Sequence, residues 1–364
     1  MIYTSFQQAS QQYKDINAID YFFAKEFLDV FSQQDNDILF HLFICLSQSV
    51  QNGHTCMPLA ELANRRVGFE SDYQGVVTYH GYQFPTLALL QQLILSVVDA
   101  DCNEEHGVVY AHQCLYMRKN YIFEQELQHA LKTRIEETIA IPEDAIKRTV
   151  EQLFPQTDNV DAHSNAVEID WQKLAVANSV NKKLSVIAGG PGTGKTYTVT
   201  KLLAAVVDLS VTDLNITLVA PTGKAAQRLT ESITAAVSGF RGQINDDILD
   251  SLPTQAKTIH RLLGVIPEQV NFKHHQDNLL NSDVVIIDEV SMVDLALMVR
   301  FFRALPPHTQ VIMLGDADQL PSVALGNVLT DIAPRPHLGY SKENCLYLQE
   351  TMQLSDVLAK QLPK

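Results

Sequence analysis

Two patterns of apolar residues divide this chain. Up to about residue 110 they recur at helical spacing, as in "AIDYFFAKEFLDVF" (18–31), "DILFHLFICLSQSVQNG" (37–53) and "FPTLALLQQLILSVV" (84–98). These stretches predict buried helices, with Gly53 as a stop for the second. "GVVYAHQCLYMRKNYIFEQELQHAL" (107–131) reads as a strand running into a helix, and "IAIPEDAIKRTVEQLF" (139–154) as a further helix. A polar, turn-rich stretch, "PQTDNVDAHSNAVE" (155–168), reads as a linker. From Ile169 the pattern changes. Short apolar runs, "LSVIAG", "NITLVA", "DVVIIDE" and "TQVIMLGD", alternate with helical stretches. Near-continuous apolar strands between helices predict an α/β fold, a parallel sheet covered on both faces. Residues 239–282 interrupt this alternation and are only weakly patterned.

Composition narrows the class. With 46% hydrophobic residues in 364, the chain can bury more than one core. No apolar run is long enough to cross a bilayer, and "MIYTSFQQASQQYKD" lacks the pattern of a signal peptide. A cytoplasmic protein with no membrane partner is expected. The five cysteines are scattered and form no Cys-x-x-Cys pair, which argues for reduced thiols. The histidine pair in "KHHQD" (273–277) reads as part of a polar loop. Net charge is −15, which argues against a protein that coats DNA nonspecifically. Locally the balance reverses. Lys182, Lys183, Lys195, Lys201, Lys224 and Arg228 face only Asp208 and Asp213 across that span.

The chemistry sits where the basic span begins. "GGPGTGKT" comprises Gly189, Gly190, Pro191, Gly192, Thr193, Gly194, Lys195 and Thr196, and fits G-x-x-x-x-G-K-[ST] between a strand and a helix. Its glycines let backbone N–H groups curl around phosphate oxygens. Lys195 supplies a charge for the β and γ phosphates, and Thr196 a hydroxyl for magnesium. In "VVIIDEVSMVD" four apolar residues carry Asp288 and Glu289 to the C-terminal end of a strand. Beside a phosphate loop, Asp288 suits a magnesium ligand acting through water, and Glu289 a base for the attacking water. "MLGDADQLPSV" (313–323) places Gln319 just past another strand, with donor and acceptor groups for a γ phosphate or that water. Alone, either loop would be an ordinary polar strand end. ATP and Mg2+ are the expected cofactors.

Taken in order, "GGPGTGKT", "APTGKAAQRL", "TIHRLLG", "IIDEVSMVD" and "LGDADQLPSV" resemble the superfamily 1 DNA helicases, and as a set the RecD branch, the alpha subunits of exodeoxyribonuclease V. "GHTCMPLAEL" and "LYMRKNY" resemble the amino-terminal domain of that branch. The resemblance implies a RecA-like ATPase domain over 169–340. It implies a helical partner-binding domain over 1–115, connecting helices and linker over 116–168, and the start of a second motor domain over 341–364. It further implies that Gln172 recognises adenine. Thr222, Gly223 and Lys224, and Thr258, His260 and Arg261, would contact single-stranded DNA. The implied activity is ATP-dependent 5′–3′ helicase action on single strands at duplex ends. The implied setting is a complex with RecB-like and RecC-like subunits, in double-strand break repair and recombination.

One departure matters. The family continues with a second RecA-like domain that supplies arginines to the transferring phosphoryl group, and "QETMQL" (349–354) does not match the motif expected there. A second reading follows from this: an ATP-binding assembly module that docks on partners and does not translocate, binding ATP–magnesium without efficient turnover. A small-molecule kinase gives "GDADQL" no role.

Overall fold

The computed structural model describes residues 3–31, 36–98, 107–155, 169–190, 192–269, 271–316, 325–334 and 336–363. It has two compact units, one drawn mainly from the first 126 residues and one mainly from the rest, with the boundary inside the helix Arg118–Glu136. Among the described residues no helix is long and apolar enough to cross a membrane. Of the linker expected over 155–168, all but Pro155 lies outside the described residues.

The first unit is mainly helical. Its centre is the helix Asp37–Gln51, in which Leu39, Phe40, Leu42, Phe43, Ile44 and Leu46 are all fully buried. A helix apolar on nearly every side must be enclosed, and the helices Ala18–Val30 and Leu87–Val97 join it in one core. Asn36 starts it by accepting the Leu39 N–H at 3.0 Å. Buried Asp20 fastens it to its neighbour, accepting from Ser47 Oγ at 2.6 Å and from Gln51 Nε2. This unit also holds two small antiparallel sheets; the strand read at the start of 107–131 is a hairpin in one of them, and the other strands lie in stretches read as helical or left unread. One is the hairpin Arg66–Ser71 with Val77–Gln83; the other joins Cys56–Pro58, Cys114–Met117 and Val108–Ala111.

The second unit carries a five-stranded, wholly parallel sheet. Its order is Leu184–Ala188, Gln310–Gly315, Val284–Ile287, Ile216–Ala220, Ala256–Thr258. The runs "VVII" and "QVIMLG" occupy inner positions and are buried at every residue, as strands covered on both faces must be. This is the RecA-like α/β architecture. The weakly patterned span 239–282 supplies the fifth strand, three residues on the sheet edge, and the helices Asp246–Ser251 and Ile259–Leu263. Three half-buried residues give no periodicity to read. Residues 341–364 were expected to open another domain. Here their helices Lys342–Met352 and Asp356–Ala359 lie in this unit, and Leu348, Met352 and Leu362 enter its core.

His41 in the first unit generates a test. Its ring stacks on Tyr82 with centroids 3.8 Å apart, and its Nδ1 lies 2.7 Å from the Asp37 carbonyl oxygen, so the neutral ring donates there. Burial pushes its pKa down to about 3. The unfolded chain gains a proton near pH ~6.5 and the folded chain does not. The neutral ring's stabilisation is therefore whole above that pH and is lost as pH falls, at up to about 1.4 kcal/mol per pH unit. The urea midpoint of the full chain should fall between pH 6.5 and 5, and His41→Phe should flatten that slope. Equal slopes in both proteins would exclude His41 as the cause.

Candidate functional site

The strand registers set the site. Gly315 lies opposite Ala188, Met313 opposite Ile287, Val219 opposite Ile287, and Ala220 opposite Thr258. All five strands therefore end near one line. The segments that leave this edge are the phosphate loop, Asp316, Asp288–Glu289, Thr222–Lys224 and Thr258–Arg261. Ligands of open α/β sheets bind at this carboxyl edge.

The phosphate loop is an extension of the ladder. Gly189 N–H donates to Gly315 O at 3.1 Å before the chain turns away. Gly192 and Gly194 have φ of +77° and +79°, the left-handed region that only glycine enters without strain. Gly194 is the N-cap of the helix Lys195–Asp208. Lys195 Nζ turns into the loop and donates to the carbonyls of Gly189 and, at 2.9 Å, Gly190. Thr193 Oγ1 donates to the same Gly190 oxygen at 2.9 Å. Gln172 follows the helix start at Trp171, where Asp170 caps by accepting the N–H groups of Gln172 and Lys173. Its Nε2 lies 3.4 Å from Thr193 O, so the structure brings Gln172 and the loop together. Pro191 and Gln319 lie outside the described residues.

Asp288 and Glu289 follow Val284–Ile287 directly. Asp288 N–H donates to Val219 O at 2.9 Å, and its Oδ1 accepts the Glu289 N–H at 2.9 Å. Glu289 has φ of +54°, a conformation that costs a non-glycine residue roughly 1 kcal/mol or more. That kink starts the short 3-10 turn Val290–Met292. Burial raises the Asp288 pKa; the Glu289 N–H and Lys195 pull it back. Burial also raises that of Glu289, and Asp288 adds to the rise, with Asp316 pushing the same way and Lys195 and Arg228 opposing. These five charged groups share one electrostatic neighbourhood. Arg228 and Asp316 were not selected from sequence, although both stand inside quoted motifs.

The donor set fits magnesium. A hydroxyl and a half-buried carboxylate are hard oxygen ligands, and the ionised Asp288 is short of solvation that a divalent cation restores. Thr196 and Asp288 can hold that ion.

At the far side of the edge two threonines begin helices. Thr222 Oγ1 accepts the Ala225 N–H at 3.2 Å and starts Gly223–Gly239; Thr258 Oγ1 accepts the Arg261 N–H at 3.1 Å and starts Ile259–Leu263. Both hydroxyls are thus engaged as caps. Gly223, Lys224, His260 and Arg261 are exposed beside them.

Residues 172–325 match the AAA domain family, and residues 12–116 match the family described as the N-terminal domain of the RecBCD enzyme subunit RecD. The RecBCD enzyme subunit RecD of Haemophilus influenzae is 37% identical over 253 residues, covering 68% of this chain and 38% of that protein. That of Buchnera aphidicola subsp. Acyrthosiphon pisum is 28% identical over 347 residues, covering 93% of this chain and 54% of that protein. The ATP-dependent RecD2 DNA helicase of Deinococcus radiodurans is 42% identical over 152 residues, covering 42% of this chain and 18% of that protein. The chain therefore spans about half the length, or less, of these relatives.

The raised Asp288 pKa has a consequence for stability. Between the ordinary carboxylate range and the raised value, the folded chain holds a proton that the unfolded chain lacks. The ionised group is thus a net cost at neutral pH, and the cost fades as pH falls. Asp288→Asn should raise the melting temperature of the nucleotide-free chain by a few degrees at pH 7, with a smaller gain at pH 5. It should also remove the magnesium dependence of nucleotide binding. Calorimetry at the two pH values checks the first; titration with a fluorescent ATP analogue checks the second.

Proposed function

The chain belongs to the RecD family, and from that premise we propose that it acts as an ATP-dependent DNA helicase subunit. It takes a single strand at a duplex end and moves 5′ to 3′, assembled with RecB-like and RecC-like subunits in the cytoplasm for break repair and recombination. The observation that carries this reading is the shared strand edge. Phosphate loop, paired carboxylates and the two threonine-capped helix starts leave it in sequence across the sheet.

In this reading the loop's N–H groups and Lys195 hold the β and γ phosphates, and Gln172 reads the adenine. Thr196 and Asp288 would hold Mg2+, which would supply charge neutralisation at the phosphates. Glu289 orients a water and takes its proton; its raised pKa suits that exchange. Gln319 reports the γ phosphate. Thr222, Gly223, Lys224, Thr258, His260 and Arg261 contact the strand through exposed side chains and through backbone at the helix starts, since both threonine hydroxyls are engaged as caps.

ATP hydrolysis by the purified chain, with and without oligothymidylate, tests the proposal. Single-stranded DNA should raise the rate. Lys195→Ala should weaken ATP binding at least tenfold. Glu289→Gln should lower turnover by roughly 10²–10⁴ while leaving ATP affinity within about twofold. A turnover indifferent to DNA would remove the motor reading and leave a nucleotide-binding module.

A further inference from the structure

The segment "KHHQD" is a polar loop of turns with mostly exposed residues. It forms one wall of a cleft of about 320 Å³, which Phe272, His274, His275, Asp277, Arg300 and Arg303 line. Backbone hydrogen bonds fasten this wall to the end of the helix Ile259–Leu263: Lys273 N–H donates to Gly264 O at 2.8 Å, and His274 N–H to Leu263 O at 2.9 Å. Asn278 Nδ2 closes the turn on Lys273 O at 2.7 Å. The His274 Nδ1 is 3.2 Å from Asn278 O, so that nitrogen carries the proton. The opposite wall is the helix Leu295–Arg303, where Arg300 and Arg303 stand three residues apart and share a face.

Two arginine side chains meet at this cleft in a chain of net charge −15. The cleft holds two guanidinium groups and one carboxylate, Asp277, which lies 3.5 Å from His275 Nδ1. The Arg300 guanidinium is set over the Phe272 ring, 5.6 Å from its centroid, so it is partly ordered in advance. A planar fork of donors held this way matches phosphate oxygens. The Phe272 ring also meets His260 edge-on, with centroids 5.7 Å apart. His260 and the Arg300 guanidinium are therefore within about 11 Å of each other, the limit set by those two legs of 5.7 and 5.6 Å. That distance is short enough for one nucleic-acid strand to meet both.

We propose that this cleft binds a phosphate group of the nucleic-acid strand beyond its contact with His260. The source of the phosphate rests on the function proposed above; the oxyanion chemistry does not.

The test is binding of a fluorescent 20-nucleotide oligothymidylate to the full chain by anisotropy over a series of salt concentrations. Arg300→Gln and Arg303→Gln are compared with wild type, and binding of a fluorescent ATP analogue shows that each variant is folded. Each substitution should weaken DNA binding several-fold and reduce the slope of log K against log salt by about 0.7, the value for one phosphate contact on a single strand. Arg300→Lys should recover the slope. Unchanged affinity and slope in both folded variants would overturn the proposal. If wild type fails to bind the oligonucleotide, the strand-tracking function fails, and inorganic phosphate decides the cleft separately. Saturable shifts of the His274 and His275 ring resonances in wild type, absent in Arg300→Gln, would keep the oxyanion site but overturn the strand as its source. No shifts would overturn the cleft altogether.

Discussion

Five parallel strands whose ladders end nearly flush are the constraint on which everything else in the second unit depends. The hydrogen bonds that set Gly315 against Ala188, and Ile287 against both Met313 and Val219, leave no freedom in where the following loops begin. A slip of one residue would turn side chains to the other face of a sheet that is buried on both. The six buried residues of Gln310–Gly315 lock this register from the middle. Gly315 shows how tightly it is packed, since a Cβ there would come within 2.5 Å of Leu329.

Neighbouring strands lie about 4.8 Å apart, so the phosphate loop and the Thr258 helix start are separated by roughly four such steps. No side chain at one end of the edge reaches the other. Asp288 and Glu289 stand between them, and Glu289 feels both sides: Lys195 from the loop and Arg228 from the helix that Thr222 caps. Their burial is expensive for the folded chain and is what makes them responsive. A fully hydrated carboxylate pair would be cheaper and would register little of what binds nearby.

Much of this was legible in the sequence because it depended on local rules. The phosphate loop needs glycine at positive φ followed by a helix, and the order of residue types declares it. The inner strands are long apolar runs with no competing reading. What stayed hidden depended on contacts between distant residues. Ala256–Thr258 is a strand only because Ile216–Ala220 offers it an edge. The hairpin of Arg66–Ser71 with Val77–Gln83 is largely exposed, and it passes for loop within a helical region. Arg228 sits two turns into its helix, and only the packed structure brings its charge to bear on Glu289. The "KHHQD" wall is the same kind of case, since its meaning comes from two arginines that follow it by more than twenty residues.

The resting position of Lys195 has a further consequence. Its ammonium group already satisfies two carbonyls inside the loop, those of Gly189 and Gly190. Any anion that enters must outcompete those two bonds before it gains anything from the lysine. A phosphate oxygen carries a full charge where a carbonyl carries only a dipole, so under the function proposed above the exchange favours the phosphate, and the two carbonyls serve to hold the ammonium group inside the loop beforehand.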